Sequence, residues 1–268
     1  MPKAPSDFLI EQSPAPRYDA PPRIDESVLC LGDCQIPYHD AKFINHCADV
    51  ASAFGVTTAL WVGDAFDFHA LGIFLSQNKD ALSKEIEQDR KYGEQLANRF
   101  ARVLWTNGNH EDRLSRMLAQ YLKLEQTKTL FGLPKHVETS DYYFCEIGDD
   151  WIATHPKNAS VIPGRVPSML ALKYRKNVLS FHGHLVGACQ INGLWAIDVG
   201  VTCDPMRLEY PNVRHNTRPM MQRGAVLMLK DSHGKFRPRI LNELTDFDFE
   251  MKAGEIWRKR QNTLRRAT

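Results

Sequence analysis

Short apolar runs along this chain stop repeatedly at a glycine followed by a polar residue. "SVLCLGD" (27–33), "TTALWVGD" (57–64) and "RVLWTNGNHED" (102–112) are of this kind, and each is the length of a strand buried on both faces. Between them, "AKFINHCADVASAF" (41–54) has helical apolar spacing, and "ALSKEIEQDRKYGEQLANRFA" (81–101) reads as a long charged helix. Alternating strands and helices predict a parallel sheet with crossover helices. The second half is richer in strands. "DYYFCEIG" and "DWIATH" form a predicted hairpin around Gly148-Asp149-Asp150, followed by "NVLSFHGH", "LWAIDVG" and "GAVLMLK", so a second sheet is expected. No internal repeat marks a solenoid or propeller.

Length and punctuation then set the domain limits. A chain of 268 residues accommodates one large α/β domain, expected over residues 27–245. Residues 1–26 carry Pro2, Pro5, Pro14, Pro16, Pro21 and Pro22, which remove backbone donors and predict an extended arm. Residues 246–268 end in the basic "WRKRQNTLRRAT" and are expected to form a charged helix or tail. A formal net charge of +2 is too small to imply a polyanion partner for the molecule as a whole. No apolar run approaches the ~20 residues of a membrane span, and the N-terminus lacks the apolar core of a signal peptide, so the expectation is a cytoplasmic protein without a membrane partner. The six cysteines include no CxxC pair, which suits reduced, packed thiols.

The chemistry lies where the apolar runs stop. Asp33 and Gln35, Asp64 and Asp67, Asn109 and His110, His155 and His184 all occupy such ends. In open α/β sheets the strand ends converge on one crevice, so these residues can share a site. Each has an ordinary reading when taken alone: Gly-Asp as a turn, Asn109 as a helix cap, a single histidine as a satisfied core residue. Together they form a mixed oxygen and nitrogen donor set that suits Mn²⁺, Fe or Zn²⁺ better than an all-oxygen cage.

The order "GD…GDxxD…GNHE…H…GH" resembles the calcineurin-like metallophosphoesterase superfamily, with "GDAFD" and "GNHE" its most specific words. The likeness covers roughly residues 27 to 202, and "GDCQIPYHD" with "GNHEDRL" is similar to a branch carried by bacteriophages. The resemblance implies a four-layer α/β/β/α sandwich of two mixed sheets and two divalent metals bridged by Asp64. It places Asn109, His155 and His184 on a second, tighter metal site. The first, weaker site has Asp33 and Gln35, and Val186 stands where the family has a further histidine. His39, His69 and His182 are candidates to compensate. Manganese is the expected metal, with Fe, Zn, Ni or Mg as alternatives.

The same resemblance implies hydrolysis of a phosphate ester by activated water, with His110 as general acid and Asp67 orienting its ring. Position 68 is Phe where the protein Ser/Thr phosphatase branch has a phosphate-gripping arginine, which favours a phosphodiesterase over a protein phosphatase. Arg207, Arg214, His215 and Arg218, with the basic C-terminus, tilt the expected substrate toward a nucleotide or nucleic acid. The alternative is a metal-binding or scaffold module that has kept the fold without turnover, suggested by Gln35 and Val186.

Overall fold

The computed structural model describes residues 20–72, 81–119, 121–208 and 220–267. The apolar runs form strands β2 (Val28–Leu31), β3 (Thr58–Val62) and β4 (Arg102–Thr106), all parallel neighbours. Helices α1 (Ala41–Ala53) and α2 (Leu82–Ala97) lie between them in sequence. Strand β5 (Val137–Ser140) extends this sheet in parallel beyond β4, while β11 (Gly224–Lys230) pairs antiparallel with β2 and with the last strand, β12 (Phe236–Asn242). The order is β12-β11-β2-β3-β4-β5.

The second sheet is also six-stranded. It runs β1 (Arg23–Ile24), β6 (Phe144–Ile147), β7 (Trp151–Thr154), β8 (Asn177–Ser180), β10 (Leu194–Val199) and β9 (Val186–Ile191). β6 and β7 are the predicted hairpin, and β7, β8 and β10 are mutually parallel. β1 ties the inner end of the proline-containing arm to β6, with Ile24 fully buried. Residues 1–19 lie outside the described residues, as do Arg214, His215 and Arg218.

Both faces of the first sheet are apolar, and side-chain alternation divides them between two cores. Leu29, Leu31, Ala59, Trp61, Val103 and Trp105 face the helices. Val28, Cys30, Leu60, Val62 and Leu104 instead pack against Cys145, Ile147, Ala153, Leu179 and Ile197 of the second sheet. The result is the four-layer α/β/β/α sandwich, with helix α5 (Arg165–Tyr174) packed along β8, β9 and β10. Two shorter helices, α3 (Asp112–Met117) and α4 (Leu124–Leu130), follow β4. Five of the six cysteines are buried and all six are free. No helix among the described residues is long and apolar enough to cross a membrane.

The C-terminal helix α6 (Phe247–Ala267) docks on α1. Phe247, Met251, Ala253 and Trp257 add to the helix-side core, and the Phe247 ring meets Phe43 and His46. Gly254 makes the close crossing: a Cβ there would stand 2.7 Å from Phe54 Cδ2 and 2.9 Å from Ala53 Cβ. Gly254→Val should therefore push α6 off α1 and lower the unfolding free energy by about 1–3 kcal/mol. Denaturant unfolding of the two proteins checks this, and an unchanged midpoint contradicts the close packing.

Candidate metal centre

The carboxyl ends of β2, β3 and β4 in one sheet and of β7 and β8 in the other meet along one seam. Asp33 follows β2, Asp64 follows β3, Asn109 and His110 follow β4, His155 follows β7, and His182 and His184 follow β8. The seam is narrow. Gly63 has φ +65°, and a Cβ on it would sit 2.6 Å from His155 Cβ. At Gly108 a Cβ would stand 2.3 Å from Asp64 Oδ1, so the words "GD" and "GN" mark close approach as well as turns.

Asp33, Asp64, His155 and His182 offer ligand atoms that all lie within 4.8 Å of one another. Asp33 Oδ1 lies 3.3 Å from His155 Nε2 and 2.9 Å from His184 Nε2, and Asp33 Oδ2 accepts from the His182 backbone N–H at 2.9 Å. Asp64 Oδ2 is 3.3 Å from His155 Nε2, while its Oδ1 accepts from the His110 backbone N–H. Glu111 fixes this loop, its carboxylate accepting from the backbone N–H groups of Asp64 (2.9 Å) and Ala65 (2.8 Å). Of the three compensating histidines, His182 joins the cluster. His39 stands against the Tyr92 ring, and His69 Nδ1 is 3.5 Å from Asp67 Oδ2. Val186 begins β9 and pairs with Val199.

A second group adjoins the first. His110 Nδ1 lies 3.0 Å from Asp67 Oδ1, and its Nε2 is 3.5 Å from Asp64 Oδ2. The Arg113 guanidinium, one turn along, donates to the Asp67 carbonyl and brings Nη2 to 2.8 Å from His110 Nε2. Glu111 and Arg113 were the residues that motif reading left without a role. Their signal was present in "GNHEDRL", as an acid and a base two and four residues after the expected ligand Asn109. Arg207 packs over the Tyr38 ring.

Burial opposes ionisation throughout this cluster, and opposite charges override it. Burial would raise the Asp33 carboxyl, but His184 and His155 hold it below the usual carboxylate range; His110 and His155 do the same for Asp64. For Asp67 the opposing groups are His110 and His69. Burial would lower His110 and His155, yet Asp64 with Asp67 raises the first and Asp64 with Asp33 raises the second. His182 goes the other way: burial and the neighbouring His155 push it down to about 4. It is therefore neutral near pH 7 and keeps a nitrogen lone pair for a cation.

The donor set fits a divalent ion. Gln35 is fully buried with neither Oε1 nor Nε2 hydrogen-bonded, and the Asn109 Oδ1 also lacks a partner. Unsatisfied buried groups of this kind cost about 1–3 kcal/mol each, and both residues stand in the loops that carry the cluster. Two amide oxygens, carboxylates and imidazoles together match a transition-metal site better than a calcium site.

No protein-family model matches the chain, and no curated protein matches it. Among solved structures, a single mutant of Vps29 from Entamoeba histolytica is 11% identical with a TM-score of 0.39, covering 81% of this chain and 98% of that one. YfcE, a phosphoesterase from E. coli, is 14% identical with a TM-score of 0.37, covering 80% and 98%. Wild-type Vps29 of E. histolytica complexed with Zn²⁺ is 13% identical with a TM-score of 0.38, covering 81% and 98%.

Asp89 of α2 is a separate buried acid beside this region, fully buried with neither carboxylate oxygen hydrogen-bonded. Burial, reinforced by Glu85 and Asp67, pushes its pKa from 3.8 up to about 9. The folded state thus holds a proton that the unfolded chain releases near pH ~4, and stability falls as pH rises through that window. Asp89→Asn removes the dependence. Its stability relative to the parent should grow with pH and exceed it at pH 8 by about 1 kcal/mol or more. A difference that stays flat between pH 5 and 8 in denaturant titrations contradicts this.

Proposed function

We propose that the protein is a divalent-metal-dependent phosphoesterase, resembling the calcineurin-like metallophosphoesterases in its motifs. The observation that carries this reading is the convergence of Asp33, Asp64, His155 and His182 within 4.8 Å at the seam of the two sheets, with the His110–Asp67 pair beside them. Asp64, Asn109, His155 and His182 would hold one ion, and Asp33, Gln35, Asp64 and His184 a second. His184 Nε2, 2.9 Å from Asp33 Oδ1, would give that second ion an imidazole without any contribution from Val186. "HGH", and not a pair ending at Val186, then supplies both histidines. When bound, divalent ions supply Lewis-acid activation of water and neutralise charge on the phosphoryl oxygens. Manganese suits the mixed donor set.

The chain's own residues do the remainder. Asp67 Oδ1 stands 3.0 Å from His110 Nδ1, a contact that orients the ring and would leave Nε2 as the atom that passes a proton to the leaving oxygen. Glu111 keeps Asp64 in place through two backbone N–H groups. Phe68 is buried against Phe66 and Phe131 and grips no phosphate, which favours a phosphodiesterase or a small-molecule phosphatase over a protein phosphatase. Arg207 beside Tyr38, together with the basic residues of α6, supports a nucleotide or nucleic-acid ester as substrate.

The test is hydrolysis of chromogenic and alkyl phosphate esters with added Mn²⁺, for the parent and His110→Ala. The variant should keep its metal and lose on the order of 10²-fold in turnover on the alkyl ester, whose leaving group needs a proton, and far less on a nitrophenyl ester. Equal losses on both substrates remove His110 as the acid. A metal-loaded parent that hydrolyses neither ester turns the assignment to a binding or scaffold module.

A further inference from the structure

We propose that Arg113 is a phosphate-binding residue of this site, taking a non-bridging oxygen of the substrate's phosphoryl group; this rests on the phosphoesterase reading and adds to it a residue that the motif did not assign. The guanidinium is almost wholly withdrawn from solvent, its side chain 10% exposed. Buried arginines are ordinarily matched by a carboxylate in a two-bond fork. Arg113 has no such fork among the described residues. Its nearest carboxylate oxygen, Asp67 Oδ1, is 3.6 Å away and already faces His110 Nδ1 at 3.0 Å.

What the guanidinium does touch places it beside the reacting groups. One Nη donates to the Asp67 carbonyl, and the other comes to 2.8 Å from His110 Nε2. The Arg113 backbone N–H bonds the His110 carbonyl at 2.9 Å, so the two side chains leave the same turn. A guanidinium has five N–H donors, and these contacts engage few of them. A guanidinium only donates, so His110 Nε2 accepts from Arg113 Nη2 at 2.8 Å; an anionic oxygen arriving beside Asp64 is a stronger acceptor for that N–H, and its capture by Arg113 frees Nε2 to carry a proton. A tetrahedral phosphoryl group presents several such oxygens at once, and the planar fork of arginine suits them better than a lysine does. The position taken by arginine in the protein phosphatase branch is Phe68 here, directed into the aromatic core. The cation arrives instead from α3.

The experiment is calorimetric titration of inorganic phosphate into the protein with Mn²⁺ present, for the parent, Arg113→Ala and Arg113→Lys, alongside ester hydrolysis. Arg113→Ala should weaken phosphate binding about tenfold or more and raise KM more than it lowers kcat, with melting temperature and metal content retained. Arg113→Lys should recover part of the affinity. Equal phosphate affinity in parent and Arg113→Ala overturns the proposal and leaves the phosphoesterase reading standing. If the Ala variant does not fold, Arg113→Gln decides, because it keeps a donor for the Asp67 carbonyl without the charge: the same loss supports the role, and unchanged affinity overturns it. Arginine-dependent phosphate binding by a protein that hydrolyses no ester upholds the phosphate site while the hydrolytic reading falls.

Discussion

Asp33, Asp64 and Asp67 have no solvent exposure, and three buried carboxylates at one seam are tolerable only if hydrogen-bond donors or positive charge face each of them. The molecule meets this with side chains drawn from both sheets. His184 and His155 face Asp33, His155 and His110 face Asp64, and His110, His69 and Arg113 face Asp67. Because partners come from strands far apart in sequence, the cluster holds only when the two sheets are stacked in register. The Thr202 N–H to Gly32 carbonyl bond joins the end of β10 to the end of β2 across the seam, while Asp33 N–H to the Gly63 carbonyl and Phe181 N–H to the Thr154 carbonyl extend the pairing within each sheet.

The backbone also concentrates its unfavourable geometry here. Asp33, Gln35, Asp64, Phe68, His182 and His184 all have left-handed φ between 46° and 68° without being glycine. Each such residue costs on the order of 1 kcal/mol or more and persists only where surrounding structure imposes it. Five of the six offer a ligand-type side chain, so the strain coincides with the placement of donor atoms. The sixth, Phe68, turns its ring into the aromatic core beneath the loop.

The inner eight strands were legible in the sequence, and the four that were not are the four sheet edges. β2, β3, β4, β6, β7, β8, β10 and β11 are buried runs that stop at turn residues. β1 and β9 border one sheet, β5 and β12 the other. "VGACQI" in β9 is largely exposed and "FRPRILN" in β12 carries Pro238 and two arginines. Edge strands carry such polar and proline-containing sequences because they pair on one side only. The candidate site was legible in its carboxylates and in Asn109, His110 and His155, since these end inner strands. His182 was not assigned with the same force. Spacing along "HGHLV" allows either histidine to lead the pair, and only the packing of His182 against the His155 ring, with His184 on Asp33, separates them. Arg113 was hidden for a similar reason: its use depends on sharing a helical turn with His110.

A metal centre at this seam is tested most directly by the anomalous scattering of crystals grown with Mn²⁺. The account predicts an anomalous peak contacted by Asp64, Asn109, His155 and His182, and a second contacted by Asp33, Gln35 and His184. Crystals that bind Mn²⁺ only at surface carboxylates, with the Asp33–Asp64–His155–His182 cluster unchanged and free of any peak, would contradict it.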